Sequence, residues 1–561
     1  MISEIKKIVR SLPFFQPIYS VFRARKSVNW VGLNKGITPH DNCSTDQKVL
    51  MATSVGDYEM GVLLESCLAT ALQMRGASVD MLLCDSVLSA CQMSKIESIS
   101  PVKMANEGPT SRCGGCFNYG RAILSGSNVS LLKYSQYILA SEKDEALTIS
   151  KSASFDNIQT FVFNEIRVGE HAFAGALRYF ARGNLEGEEY GEVILRRYLE
   201  SAILTVFAVD RLLDQGNYDV VCLHHGIYVP QGLITQVCQR KNIRVVTWNP
   251  AYKKNTFVFS HDDTYHHTMI SEATSRWEHL ELDTHKKSEI KNYLRSRRSG
   301  INDWIWFHDT PEENLDSIKA ELGCRLDRPS IGLFTNVLWD AQLHYETNAF
   351  KGMLEWVDVS IEYFSKRPDL ELFIRIHPAE MRGAIPSRQP LLEEINKRHP
   401  RLADNIFIIP PESQISTYTV MDFCNAVTIF NTKTGIEIAS EGIPTIVAGE
   451  AWIRNKGFSL DASSPEHYIE ILSNLPFEEK MSEEDTERAL KYAYHFFMRR
   501  MIPLPFVDFD SGSGKYTSNL KSATELSYGK IKGLDLICRG ILEGTPFEYD
   551  EGCYLKDETA E

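Results

Sequence analysis

Nothing in this chain approaches the run of about 20 apolar residues that a membrane span needs. The longest uncharged stretch, Val220 to Gln239, is broken by His224, His225, Gly226, Pro230 and Gln231. Cysteine is scarce: 12 in 561 residues cannot staple a disulfide scaffold, so free thiols or metal ligands are expected. Basic residues are outnumbered, 60 Lys+Arg against 74 Asp+Glu for a formal charge of −14. That balance excludes a nucleic-acid binder working by counterion release. No secretory leader is expected, because Pro13 and Pro17 interrupt the residues after Lys6, Lys7 and Arg10 before an apolar core develops. The chain reads as cytoplasmic. With 43% apolar and 24% charged residues it has the composition of a folded protein, and its length suits several domains.

Residues 1–44 differ from the remainder. Ile2, Ile5, Ile8, Val9 and Leu12 recur at helical spacing, followed by Phe14, Phe15, Tyr19 and Phe22. Six basic residues stand against the single acid Glu4 in the first 30 positions. Such a basic amphipathic segment suits either peripheral contact with an anionic membrane or a helix packed on the body with a solvated basic side.

From Lys48 the grammar is alternating strand and helix. A strand Lys48–Ser54, a Gly56–Asp57 turn, a helix Tyr58–Arg75 and a strand Ser78–Cys84 predict a βαβ unit. The pattern returns at Tyr218–Leu223, Gln231–Lys241 and Ile243–Trp248, with a helical stretch Ala172–Leu213 between. Residues 272–325 are polar, and Arg295–Gly300 reads as a turn or linker. A second α/β series follows: Pro329–Phe334, helix Phe350–Lys366, then strands Leu370–Ile376, Ile406–Ile409 and Ala426–Phe430. Helix Thr434–Ser440 and strand Thr445–Ala448 close it. From Ser482 the chain reads as a helical tail with a soft Asp510–Lys515 loop. The expected organisation is a 1–44 segment, a 45–325 acceptor domain, a 326–480 nucleotide-binding domain and a 481–561 tail. Two doubly wound Rossmann-like α/β domains in tandem place a ligand cleft at the carboxyl ends of their strands.

The sharpest motifs lie in the second series. In Arg375-Ile-His-Pro-Ala-Glu380 a strand runs out into a loop. There Arg375 and His377 can meet a phosphate, and Glu380 a ribose hydroxyl or a proton; a strand end with a satisfied histidine is the plainer alternative. In Asn431-Thr-Lys-Thr-Gly435 a strand ends in a hydroxyl turn that opens a helix. The backbone N–H groups, Thr432 and Thr434 would face an anion there. Thr434 with Glu437 also reads as an ordinary capping box.

The order of Arg375-Ile-His-Pro378, Asn431-Thr-Lys-Thr-Gly-Ile-Glu-Ile-Ala439 and Gly442-Ile-Pro-Thr-Ile-Val-Ala-Gly449 resembles the capsule polysaccharide biosynthesis family. That family includes Kdo transferases and has the GT-B glycosyltransferase architecture. The resemblance runs from about Pro329 to Leu472, including Phe334-Thr-Asn-Val-Leu-Trp-Asp340. It implies that His377, Thr432 and Thr434 hold the phosphate of a nucleotide-sugar donor, commonly a CMP-sugar. Lys433 within the hydroxyl turn departs from the family's plain Ser/Thr pair and adds a charge. CDP-glycerol-type polyol phosphate transferases share a similar layout and also release CMP.

Transfer requires a base and neutralisation of the leaving phosphate. No Asp-x-Asp is read at a strand end, so no catalytic metal is expected, and Arg375, Lys433 and the turn N–H groups are the candidates for neutralising that phosphate. The base is sought in the first α/β series, at Asp57, at Glu170 or at His225. Cys84, Cys91, Cys113 and Cys116 form a separate constellation, C-x6-C followed by C-x2-C. It fits a structural four-thiolate zinc site or an iron–sulfur cluster, although Cys84 also reads as a buried strand thiol. The expectation is a metal-independent glycosyltransferase at the inner face of the membrane, acting on a glycan or lipid-linked glycan. A sugar-nucleotide epimerase of the same architecture and a non-catalytic assembly or export factor are the alternatives.

Overall fold

The computed structural model describes residues 46–550, apart from 126–128, 301, 305–310, 344–346, 384 and 511–514, together with Trp30 and Leu33. The basic segment 1–44 lies outside these residues, Trp30 and Leu33 excepted. No helix among the described residues is long and apolar enough to cross a membrane.

The described chain forms two compact units. The first takes residues up to Phe180, Leu185–Tyr265 and those from Arg500 on; the second takes Ala181–Asn184 and His266–Arg499. Residues 266–325, read as the end of the first domain, cluster with the second unit. The expected tail 481–561 is divided between Arg499 and Arg500.

The first unit opens with β1 (Lys48–Ser54), the helix Glu59–Met74 and β2 (Ser78–Leu83), which pairs parallel to β1 with Lys48 opposite Ser78. Every β1 residue after Lys48 is buried, as befits a strand covered on both faces. Next come β3 (Ser130–Lys133), β4 (Val220–His224), β5 (Arg244–Pro250) and β6 (Thr256–His261). The helical stretch expected over Ala172–Leu213 is two helices, Val168–Phe180 and Gly191–Gly216. The break follows Phe180, where Ala181 adopts a left-handed φ of 52°. The longer helix buries Ile194, Leu195, Tyr198, Leu199, Ala202 and Ile203 along one stripe and stops at left-handed Asn217.

The second unit holds β7 (Ser330–Phe334), β8 (Glu371–Arg375), β9 (Ile406–Ile409), β10 (Cys424–Ile429), β11 (Thr445–Val447) and β12 (Leu460–Asp461). All of their pairings are parallel. Trp356, Phe364, Leu372 and Ile374 fill its core. The buried Tyr468 hydroxyl is satisfied there by Ser360 at 2.8 Å and by the Trp356 indole N–H at 3.0 Å. Back in the first unit, β13 (Ile502–Pro503) joins β6, and β14 (Val507–Asp510) pairs antiparallel with β15 (Lys515–Ser518). This hairpin replaces the helical structure expected around the 510–515 loop; the helices of that region are Glu483–Tyr494 and Lys532–Glu543.

Among the described residues the first sheet has the order β13-β6-β5-β4-β1-β2-β3 and the second β12-β11-β10-β7-β8-β9. In each, the chain begins mid-sheet, winds to one edge and returns to the other side of its starting strand. Both units are therefore doubly wound, Rossmann-like α/β domains, with reversal points between β1 and β4 and between β7 and β10. Ligands of open α/β sheets bind outside the carboxyl ends of the strands at such points.

Candidate functional site

In the second unit the reversal point is bordered by Thr335 after β7, His377 after β8 and Asn431–Lys433 after β10. The ends of β7 and β8 are clipped together: the Thr335 N–H donates to the Arg375 carbonyl at 3.2 Å, and the His377 N–H to the Thr335 hydroxyl at 3.2 Å. The His377 Nδ1 accepts from the Ala379 N–H at 3.1 Å, so the neutral ring carries its proton on Nε2 and presents a donor. Arg375 is buried and braces the loop that follows β9. Its guanidinium donates to the carbonyls of Pro410 at 2.6 Å and Ser413 at 3.4 Å and to the Thr417 hydroxyl at 3.3 Å. Burial, with help from Arg382, pulls its pKa down to about 10. Glu380 is buried at the start of the helix Leu391–Arg398, where the Leu391 N–H reaches both carboxylate oxygens at 3.3 Å. Burial pushes this carboxyl up to about 7.

The hydroxyl turn is built from its own side chains. Thr432 donates to the Thr434 hydroxyl at 3.2 Å and accepts the Thr434 N–H at 3.4 Å. The Asn431 Oδ1 is buried without a hydrogen-bond partner among the described residues. Helix Thr434–Ser440 starts as expected, but its cap residue is Lys433 and no side chain caps it. The expected capping box does not form, because Glu437 has other partners. Its buried carboxylate takes the Tyr418 hydroxyl at 2.6 Å, the Lys433 ammonium at 3.1 Å and the Arg297 Nε at 3.0 Å. Burial alone would raise Glu437; Arg297, Lys433 and Tyr418 outweigh it and hold the carboxyl at about 2. Burial and the neighbouring Arg297 push Lys433 below the usual ammonium range. Arg297 also pairs with Asp303 and lies 5.3 Å from the Phe497 ring centre.

Arg297 corrects part of the reading of Arg295–Gly300 as a turn or linker: Arg298–Gly300 form a turn, but Arg297 is the last residue of the helix Thr284–Arg297 and is only 5% exposed. Ile290, Tyr293, Leu294 and Arg297 are the buried residues of that helix, a stripe whose spacing could have revealed it. At Gly435 the lack of a side chain serves packing. A Cβ there would lie 2.6 Å from the Ile429 Cδ1 and 2.8 Å from the Ile453 Cδ1, both in the core. Gly435→Ala should cost about 1–3 kcal/mol by overpacking, measured by urea denaturation. A stabilised variant, as helix propensity alone would give, contradicts this.

In the first unit Asp57 and His225 follow β1 and β4, the two strands of its reversal point. Asp57 pairs with Arg112 at 3.4 Å. His225 has a left-handed φ of 30° and lies 4.1 Å from the His224 ring. Its Nδ1 accepts the Ile227 N–H at 3.0 Å, which leaves a proton on Nε2 of the neutral ring. Glu170 stands elsewhere, in the first turn of the helix Val168–Phe180, 3.7 Å from Arg167.

Sequence reasoning missed a buried polar ring beneath this reversal point. The Glu65 carboxyl takes the Trp248 indole N–H at 2.8 Å, Gln231 donates to the Thr53 carbonyl at 3.2 Å, and the His224 Nε2 meets the Asn249 Oδ1 at 3.1 Å. The Thr53 hydroxyl, Glu65 Oε2, His224 Nδ1 and Gln231 Oε1 have no hydrogen-bond partner among the described residues. Burial raises Glu65 to about 7 and lowers His224 to about 3. A single acid on the otherwise apolar face of helix Glu59–Met74 was the available signal.

No family model and no curated protein matches the chain. Solved structures do. It is similar to the KpsC beta Kdo 2,4 transferase of Thermosulfurimonas dismutans, at 10% identity over 55% of this chain and 88% of that one, with a TM-score of 0.36. It is similar to the UDP-GlcNAc 2-epimerase of Neisseria meningitidis bound to UDP-GlcNAc, at 10% identity over 80% and 97% of the two chains, with a TM-score of 0.24. The spinosyn rhamnosyltransferase SpnG complexed with spinosyn aglycone matches at 11% identity over 80% and 96%, with a TM-score of 0.23.

Proposed function

We propose that the protein is a glycosyltransferase that moves a sugar from a CMP-releasing nucleotide donor to a growing surface polysaccharide at the inner face of the membrane. The observation that supports this is the convergence, at one reversal point, of the His377 donor, the Thr432–Thr434 hydroxyl turn and Lys433. In this reading the donor phosphate lies against the His377 Nε2–H, the two threonine hydroxyls and the turn N–H groups. Donors fixed before the reaction stabilise the charge that develops on the leaving phosphate without reorganising. Glu437 and Arg297 keep Lys433 in place, and Arg375 supports the loop beside it. No catalytic metal enters this proposal.

The test is a thermal shift with CMP, CDP, UDP and GDP, on the native chain and on His377→Ala. A ligand at 100 times its Kd stabilises by about 2.7 kcal/mol. CMP should raise the melting temperature of the native chain, and His377→Ala should bind it roughly tenfold more weakly while melting normally without ligand. A response to UDP alone would support an epimerase or UDP-sugar transferase instead. Stabilisation by CDP over CMP would point to a polyol phosphate transferase. Silence from all four would favour a non-catalytic role.

A further inference from the structure

The carboxyl edge of the first sheet carries cations that the proposed transfer does not use. In that sheet β1 lies between β4 and β2, and the loops after those two strands meet: the Gln92 N–H donates to the Val229 carbonyl at 2.9 Å. The helix Val168–Phe180 ends against the first of these loops, its Tyr179 carbonyl taking the Ile96 N–H at 3.2 Å. These two clips set Lys95, in the loop after β2, beside Arg178, in the last turn of the helix.

Arg178 is fixed by two contacts. Its guanidinium donates to the Gln92 carbonyl and lies 5.1 Å from the Tyr228 ring centre. The same ring stands edge to face with the His225 imidazole at 5.2 Å, which places the guanidinium in the loop that follows β4. Both cations are partly exposed, so a ligand can reach them. Among the described residues neither has a carboxylate partner, and the Lys95 ammonium makes no hydrogen bond. Glu97, two residues on, is exposed and out of ion-pair reach, and Asp57 is taken by Arg112 at 3.4 Å. Burial and the Arg178 guanidinium push Lys95 below the usual ammonium range; Arg112 adds to this and Glu97 opposes it. Of the four cysteines in the neighbouring loops and helix, no three bring their sulfurs within 4.8 Å of one another, and the Cys116 Sγ accepts the Asp57 N–H at 3.2 Å.

We propose that Lys95 and Arg178 form an anion site at the carboxyl edge of the first sheet, which takes a phosphate group of the acceptor. Two cations held side by side without an acid cost the fold stability until an anion joins them. The guanidinium offers a planar fork to phosphate oxygens, and the ammonium adds a point charge that can swing to meet them. The bond to Gln92 commits one arm of the fork and sets the direction of the rest. A phosphate monoester carries a charge of about −1.5 to −2 at neutral pH, which two cations balance; a carboxylate would leave one of them uncompensated. Ligands of open α/β sheets bind at this edge. The name acceptor rests on the transferase reading; the anion site itself does not.

The experiment is calorimetric titration of the full chain at low ionic strength with inorganic phosphate and with octyl phosphate. Both should bind the native chain, and Lys95→Gln should weaken both about tenfold. Lys95→Arg, which keeps the charge, should restore binding. Tighter binding of octyl phosphate supports a lipid-linked ester as the source, and equal affinity supports recognition of the phosphate alone. Because its ammonium bonds to nothing, Lys95→Gln should melt at or above the native temperature when no ligand is present. The binding that Lys95→Gln loses should survive in His377→Ala, and Lys95→Gln should keep the response to CMP. The two readings therefore fail separately: loss of the CMP response alone removes the transferase and leaves this site. Four results overturn the proposal: neither probe binds the native chain, Lys95→Gln binds as the native chain does, His377→Ala rather than Lys95→Gln abolishes binding, or Lys95→Gln loses binding only because it melts lower.

Discussion

Glu437→Gln lowers the melting temperature by about 10 °C. The substitution keeps the shape of the side chain but removes the negative charge that Arg297 and Lys433 share 3% exposed, and it turns an acceptor oxygen into a donor group facing two cations. Removing one partner of a buried ion pair costs about 3–5 kcal/mol. For a unit of this size each kcal/mol shifts the melting temperature by about 2–4 °C. The sign with pH is set by the depressed carboxyl. Its contribution is present above about pH 4.5 and is lost as the pH falls through about 2. The gap between native chain and variant should therefore hold from pH 5 to 8 and close only in strong acid. Glu441→Gln, an exposed acid just beyond the same helix, should change stability by less than about 0.5 kcal/mol. A Glu437→Gln loss no larger than that would mean the cluster is solvated.

The parts of this fold that were legible are those whose information is local. β1, β9 and β10 are short apolar runs between turn signals, and Thr434–Ser440 was bounded correctly by a hydroxyl turn and a Gly-x-Pro. The placement of His377 and Thr432 just beyond two strand ends was legible. What was not legible is tertiary. A local rule ties Glu437 to Thr434, three positions away, but burial delivers it to Arg297, far back in a charged run that resembles a solvated linker. Arg375 has the chemistry of a phosphate ligand, yet its donors go to a loop after β9 that no spacing in the sequence points to. Half of the β14–β15 hairpin was readable in principle: Val507-Asp-Phe-Asp510 alternates with period two, whereas Lys515-Tyr-Thr-Ser518 does not. The split after Phe180 rests on a left-handed alanine, which composition does not announce.

Glu65→Gln gains stability relative to the native chain as the pH rises, by about 3 kcal/mol between pH 4.5 and 8. Glu65 is 1% exposed, and burial, opposed by the Trp248 indole N–H, raises its carboxyl from an ordinary 4.5 to about 7. Between those values the folded chain holds a proton that the unfolded chain releases, so the native protein loses stability as pH rises. The contribution is fully present below about pH 4.5 and gone above about pH 7; a displacement of about 2.5 pH units corresponds to about 3 kcal/mol. Glutamine titrates in neither state. Its carbonyl oxygen can keep the Trp248 N–H, and its amide N–H can turn to the Thr53 hydroxyl, which has no hydrogen-bond partner in the buried ring. His224, lowered to about 3, works in the other direction: its contribution is present above about pH 6.5 and is lost as pH falls through 3. Glu380 titrates near Glu65's value. Both groups remain in the variant and cancel in the difference, so denaturant titrations of the two chains at pH 5 and pH 8 isolate Glu65. A pH-independent difference would mean that the carboxyl titrates in its ordinary range and that water reaches the ring.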